Sequence, residues 1–526
     1  MYGLRFISKT MSTQHPDNAY LPEWARGEVI AGDDEIYETY YVYSVLDIRE
    51  QMWDWEGKDA DPHVVRKLFE NFPEFFEENV LGRDVYLTYR IPNPNVEEDE
   101  RKKFAEALET IPSSYDIARR FYGEKASPPI FEVILPLTRS CLDLLRVVNY
   151  YRKVVVGKES MKVVEEDVSI MKWIGDFHPK NIEVIPLVED KDSLLFIEKI
   201  IECFIKAVKP AYLRVFIARS DPALNYGLFV AVMLSKIALN LLKRVSEKTG
   251  IRIFPIIGAG SPPFRGHLTP SNVEEFIREY GGYWTTTIQS AFKYDYGRSE
   301  SRRAIEKLNN SMGQLDSTTS ELSDFKKKLL SIVEKFSDTY KSRIESLHRI
   351  INALAEFVPR RRARKLHIGL FGYSRINRGI SLPRAIKFTA ALYSLGIPPE
   401  VLGLTAIHSL TEDEQDFLEE LYVNLKHDLR TAASMICWDN INMLLSDGEV
   451  YERVTRKYGL AEGLTMVVND IEVLEQNFGI RSGSRTLSER RYSNIVNNIL
   501  LSFAEGDREE VRKYVLEAAK IRKFLG

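Results

Sequence analysis

Two carboxylates, four arginines and one histidine of this 526-residue chain are spaced so that they could do chemistry on a small anion. Glu189 and Asp221 each follow a short apolar run, one strand–helix repeat apart. Neighbouring parallel strands lie about 4.8 Å apart, so two carboxylates at their ends can share one hard cation such as Mg²⁺ or Mn²⁺. The structural alternative is that either acid caps the next helix. Arg90, Arg265, Arg375 and Arg384 together would form an electropositive pocket for a small polyanion, although a surface ion pair is the commoner fate of an arginine. Gly258, Gly260 and Gly266 surround Ser261 and Arg265 in "GAGSPPFRGHLTP" (258–270), and their backbone amides could approach an anion. A tight strand-to-helix turn would use the same glycines. The loop matches neither a Walker A nor a Rossmann fingerprint, so nothing here points to a nucleotide. His15 lies in "MSTQHPDN" (11–18), where Pro16 excludes a helix interior and biases His15 toward extended backbone. That stretch reads either as an ordered turn with Asp17 or Asn18 capping the next element, or as a loop presenting an imidazole.

These residues need a scaffold that brings them to one place. Short apolar runs recur as "DVYLTYR" (84–90), "FEVILPL" (131–137), "IEVIPLVE" (182–189), "YLRVFIA" (212–218), "IRIFPIIG" (251–258), "WTTTIQSA" (284–291) and "LHIGLFGYS" (366–374). Each suits a strand buried on both faces, and amphipathic stretches such as 192–208 and 230–248 separate them, the signature of βαβ units. With "QMWDWE" (51–56) as an eighth run, the chain would close an α/β (β/α)8 barrel of the TIM type. Pro136, Pro186 and Pro255 are expected near strand ends, because proline lacks a ladder donor. Arg90, Glu189, Asp221, Gln289 and Arg375 all fall at or after the C-terminal ends of these runs, the face where barrel enzymes build their sites.

The expected organisation is a single catalytic unit over 1–526, with barrel strands and crossover helices over about 45–380. A helical excursion would span 299–357 and a mainly helical C-terminal region 384–526. Hydrophobic residues at 44% and charged residues at 28% suit a large buried core, and a net charge of −4 gives no general pull toward nucleic acid or membrane. Cys141, Cys203 and Cys437 are far apart and odd in number, which argues for separate thiols in a reducing, cytoplasmic setting. The longest apolar run, Tyr226–Leu234, is too short for a bilayer. The basic run "FVPRRRARK" (357–365) reads as a solvated connection, or alternatively as a patch for nucleic acid.

Read in order, the segments resemble phosphoenolpyruvate carboxylase in its short, archaeal-type branch. "MSTQHPDN" resembles that branch's N-terminal signature, the counterpart of the TAHPT loop of the long enzymes. "WEGKDADPHVV" (55–65) is similar to GGDRDGNPNV, "LTYRIPN" (87–93) to LDxRQES, "VIPLVEDKDSL" (184–194) to VPLFETxxDL, and "ARSDPALNYG" (218–227) to GYSDSxKDxG. "SPPFRGH" (261–267) stands in for the end of FHGRGGSxGRGG, and "GYSRINRGISLPRAI" (372–386) is similar to GSRPxKR…ESLRAI. The resemblance implies carboxylation of phosphoenolpyruvate by bicarbonate, with Mg²⁺ or Mn²⁺ held by Glu189 and Asp221. It implies substrate contacts from Arg90, Arg375 and Arg384, catalytic roles for His15 and Arg265, and a homotetramer with neither nucleic acid nor membrane as partner. The histidine and first arginine of FHGRGG have no counterpart in "FPIIGAGS", and Leu224 stands where the long form has lysine. Two other readings stay open: another metal-dependent barrel enzyme acting on phosphoenolpyruvate or pyruvate, and a helical RNA-binding or interaction protein.

Overall fold

A computed structural model describes residues 6–311, 322–363, 376–377 and 380–526. Eight parallel strands close a barrel in chain order: β1 (Thr10–Ser12), β2 (Glu50–Asp54), β3 (Tyr86–Arg90), β4 (Glu132–Leu135), β5 (Glu183–Val188), β6 (Leu213–Ile217), β7 (Ile253–Ile257) and β8 (Thr285–Ile288). The (β/α)8 expectation holds, and six of the seven apolar runs together with 51–56 supply seven strands.

The closing strand differs from the expectation. β1 pairs with β8 through Thr10–Thr286, Met11–Thr287 and Ser12–Ile288, and with β2 through Ser12–Gln51. The 366–374 run lies outside the described residues, and the barrel closes without it. "TMS" escapes a periodicity reading because three residues with one apolar side chain carry no recognisable pattern.

Strand alternation divides the core in two. Met11, Met52, Ile185, Leu187, Phe216 and Ile256 fill the barrel interior, while Trp53, Val184, Val188, Val215 and Ile257 face the surrounding helices. The strands therefore read as continuous apolar runs although each residue serves only one layer. Pro186 and Pro255 lie inside β5 and β7 rather than near their ends. Proline loses only its donor: the carbonyl of Pro255 still accepts the Trp284 amide at 2.8 Å.

The N-terminal end of the barrel is plugged by charge. Arg214 of β6 reaches Glu50 of β2 and Glu132 of β4, both at 2.7 Å, and Thr88 donates to Glu50 at 2.6 Å. All three charged residues are buried, so each charge depends on the others for its solvation.

Helices Arg298–Asn310 and Leu322–Ala355 follow β8 in the chain. Arg343 of the second grips Asp470 of helix Ala461–Gln476 with two bonds, at 3.0 and 3.2 Å. No single described helix is long and apolar enough to cross a membrane.

The cysteine expectation is overturned. Cys141 and Cys203 form a disulfide between helices Cys141–Tyr150 and Ile197–Val208, with Cα atoms 6.0 Å apart, and only Cys437 is free. Linear spacing conceals this, because successive crossover helices become neighbours around a barrel.

Candidate active site

Every strand-end residue singled out from the sequence within the described region reaches the C-terminal mouth of the barrel. A cavity of about 370 Å³ is lined there by His15, Arg90, Glu189, Asp221, Arg265 and Arg384. Arg375 lies outside the described residues. Residues 358–362, an irregular stretch after helix Leu322–Ala355, and 383–387, at the start of helix Ala385–Leu395, form the far wall.

Glu189 directly follows β5, and its Oε2 accepts the Leu137 amide at 2.8 Å. Leu137 adopts a left-handed backbone, φ 51°, a strained geometry for a leucine that turns its N–H toward the acid. Burial pushes the Glu189 carboxyl well above its usual range, and the charges of Asp221 and Glu56 push the same way. Asp221 opens the first turn of helix Ser220–Tyr226 after β6. Two crowded carboxylates with oxygen donors only form an environment that a hard divalent cation relieves.

The arginines are clamped by acids that the sequence reading passed over. Arg90 Nε donates to Asp54 Oδ1 at 2.9 Å and Nη2 to Asp54 Oδ2 at 2.5 Å, while Nη1 lies 3.0 Å from Glu56 Oε2. Arg384 Nη2 donates to the other oxygen of Glu56 at 3.2 Å. Glu56 thus bridges both guanidinium groups. Behind it, burial and the Glu56 charge raise the carboxyl of Glu97 to about 8, and Glu97 Oε2 accepts the Asn93 amide at 2.7 Å. The sequence signal was slight: an acid beside a glycine in "WEGKD", just beyond a strand.

Arg265 is buried at the heart of the site. Its Nε donates to Ser220 Oγ at 3.1 Å, Nη2 to Gln289 Oε1 at 2.6 Å, and Nη1 to Asp17 Oδ2 at 3.4 Å and to the Gly526 carbonyl. Gly260 permits this placement, since a Cβ there would meet Arg265 Cζ at 3.0 Å.

His15 is half-buried at the end of β1, with Nδ1 2.8 Å from Thr13 Oγ1. Its loop is fastened on both sides. Gln14 Oε1 accepts Lys58 Nζ at 2.7 Å and Thr13 O accepts Lys293 Nζ at 2.9 Å. Asp17 Oδ1 accepts the Ala291 amide at 2.8 Å, so it caps a helix remote in sequence rather than its own successor. Below the loop, Lys293 and Arg362 both pair with Glu38, at 2.9 and 2.5 Å. Although burial opposes its charge, these cations hold the Glu38 carboxyl well below the usual range.

Arg362 belongs to the basic run, whose described arginines divide: Arg360 is exposed, and the next two turn inward. Arg361 and Arg362 are buried, and Arg361 donates to Ala19 O at 2.8 Å. A count of charges could not anticipate this, because Glu35 and Glu38, the acids that meet Arg362, are more than 300 residues away in sequence. Leu224, which replaces the long form's lysine, is fully buried.

A family profile described as phosphoenolpyruvate carboxylase matches residues 7–526. Curated relatives of that name include those of Metallosphaera sedula, 46% identical over 523 residues, and Caldivirga maquilingensis, 47% identical over 523 residues. Each alignment covers 99% of this chain and 100% of the relative. The Picrophilus torridus relative is 42% identical and is matched over the full length of both chains. With the strand-end residues assembled at one barrel mouth and this similarity along its whole length, the chain belongs to the phosphoenolpyruvate carboxylase family.

Proposed function

We infer that this chain joins phosphoenolpyruvate and bicarbonate to give oxaloacetate and phosphate. One observation carries the reading: six residues scattered from His15 to Arg384, each at a family motif, line a single cavity. Glu189 and Asp221 would hold Mg²⁺ or Mn²⁺, and their all-oxygen donor set fits such an ion. When bound, the ion supplies Lewis-acid stabilisation to phosphate and enolate oxygens.

Arg90, Arg375 and Arg384 bind the phosphate and carboxylate of the substrate, which they can grip in bidentate fashion. Bicarbonate oxygen attacks phosphorus, the bond to the enol oxygen breaks, and carboxyphosphate and the enolate of pyruvate result. Arg265, fixed by Ser220, Gln289 and Asp17, orients carboxyphosphate. The His15 imidazole takes its proton as it separates into carbon dioxide and phosphate. The enolate carbon then attacks carbon dioxide. The far wall built by Val358–Arg362 and Pro383–Lys387 helps keep out water, which would protonate the enolate to pyruvate.

The whole chain acts as one catalytic unit in this reading: the loop after β1 carries His15, and the carbonyl of Gly526 meets Arg265. Burial of Arg361 and Arg362 against Ala19 O and Glu38 supports reading these two arginines as structural rather than as part of an RNA-binding patch. A homotetramer is the assembly we propose. It is supported by exposed Met161, Val163, Val164, Trp173 and Ile174 on one excursion between β4 and β5, where large apolar side chains crowd the surface. The test is oxaloacetate formation from phosphoenolpyruvate and labelled bicarbonate, with and without Mg²⁺. Label in oxaloacetate that depends on the metal is expected. Release of phosphate independent of bicarbonate, with no oxaloacetate, would favour another phosphoenolpyruvate-using barrel enzyme.

A further inference from the structure

Behind the catalytic loop lies a cluster that this reaction leaves unused. We propose that His267, His427 and Asp428 form a second cation site, for a borderline first-row metal such as Zn²⁺ or Co²⁺, that ties the Arg265 loop to the C-terminal helices.

His267 stands two residues after Arg265. It adopts a left-handed backbone, φ 55°, which is uncommon for a residue other than glycine. That conformation is held from both sides: its amide donates to Pro262 O at 3.0 Å, and its carbonyl accepts Asn272 Nδ2 at 2.7 Å. The ring is thereby directed at helix Leu425–Ala433, where its Nδ1 lies 2.6 Å from Asp428 Oδ1. Asp428 is buried, and its other oxygen accepts the Tyr422 hydroxyl at 2.5 Å, which fixes the carboxylate plane. His427 stacks on His267 with ring centroids 5.1 Å apart and planes 21° apart. One ligating atom from each of the three residues falls within 4.8 Å of the other two.

Two imidazoles and one carboxylate make a tridentate set of the kind that binds Zn²⁺ with a fourth position left for water. The exposed edge at His427 gives ion and water a way in. Ligand atoms about 2 Å from a tetrahedral ion sit roughly 3.3 Å from each other, so the His267–Asp428 contact need open by less than an ångström. Nitrogen donors also separate this site from the active centre. Mg²⁺ prefers oxygen ligands and retains water, whereas imidazole favours Zn²⁺, Co²⁺ and Ni²⁺. Glu189 and Asp221 offer oxygen only, so the two sites should sort two kinds of ion. A metal here would cross-link the β7 loop to a helix more than 150 residues later in the chain, close to the guanidinium that orients the reaction.

The test uses the untagged full chain, stripped with chelator and held in saturating Mg²⁺, then titrated with Co²⁺ alone or Zn²⁺ alone. One equivalent of Co²⁺ should bind with the intense visible absorption of tetrahedral coordination, and the melting temperature should rise with metal concentration. His427→Ala changes a surface residue, so the fold should persist. It should weaken Co²⁺ binding at least about tenfold and remove the absorption band. Glu189→Gln should retain both signals, which makes the outcome independent of the proposed carboxylation. Equal Co²⁺ and Zn²⁺ binding by wild type and His427→Ala, or no binding beside Mg²⁺, would overturn the proposal and leave His267–Asp428 a plain hydrogen bond.

Discussion

Arg384 and Glu56 are separated by 328 residues of chain and by 3.2 Å at the wall of the cavity. The other oxygen of Glu56 faces Arg90 at 3.0 Å, so one buried carboxylate sets the spacing of the two guanidinium groups that we propose bind the substrate dianion. Before substrate arrives, this acid balances the charge of both arginines. Once the dianion is bound, the same acid opposes it.

Glu56→Gln should therefore separate binding from turnover. Loss of the negative charge strengthens the hold of Arg90 and Arg384 on phosphoenolpyruvate, and KM should fall several-fold. Loss of the bridge loosens their alignment, and kcat should fall as well. Steady-state kinetics decide the matter, and a raised KM with unchanged kcat would contradict it.

The carboxylate pair makes a second prediction. Glu189→Gln or Asp221→Asn should abolish Mg²⁺-dependent turnover while leaving the fold intact. Glu189 is raised by burial and by its neighbours' charge, so replacing it with a neutral amide should hold or increase the melting temperature without Mg²⁺. Calorimetry with and without Mg²⁺ tests this: stabilisation by Mg²⁺ should be present in wild type and lost in both variants.

How much of this could be read in advance depends on which interactions are local. Strands buried on both faces announce themselves as apolar runs, and a polar residue after each marks the barrel mouth, so Arg90, Glu189 and Asp221 were legible. β1 was not, because "TMS" is held by its neighbours rather than by its own pattern. Asp54, Glu56, Glu38 and Lys293 were missed for another reason. Each works by pairing with a charge remote in sequence, and a buried pair leaves no periodic trace. The Cys141–Cys203 bridge was hidden in the same way.

That disulfide has a measurable consequence. It closes a loop with a sequence separation of 62, for which chain entropy allows stabilisation of up to roughly 4 kcal/mol. Cys203→Ser should lower the melting temperature by several degrees under oxidising conditions. Wild type with reductant should approach the variant, and identical melting of the two proteins without reductant would count against a formed bridge.

Glu97 predicts a pH dependence. Its carboxyl is raised to about 8 in the folded state, from an ordinary value of 4.5, by burial first and the Glu56 charge second. The folded chain thus keeps a proton that the unfolded chain releases. The contribution of this group is complete below about pH 4.5 and is lost as pH rises toward 8. Glu97→Gln keeps an oxygen for the Asn93 amide and removes the titration. The variant should match wild type near pH 4.5 and exceed it at pH 9 by on the order of 4 kcal/mol, read from denaturant unfolding at both pH values.

His15 gives the most selective test, because its proposed step comes late. Metal and arginines can support phosphoryl transfer to bicarbonate without an imidazole, so His15→Asn should still release phosphate. What it lacks is the base that takes the proton of carboxyphosphate, and the enolate then waits without carbon dioxide and is protonated to pyruvate. The ratio of oxaloacetate to pyruvate should fall at least tenfold, by an order-of-magnitude estimate for loss of a general base. The fold should persist, since Gln14, Asp17 and the Thr13 carbonyl anchor the loop independently of the ring. A merely structural His15 would behave otherwise. Its variant would lose thermal stability or change nothing, and a folded His15→Asn protein whose product ratio stayed at the wild-type value would remove the imidazole from the mechanism.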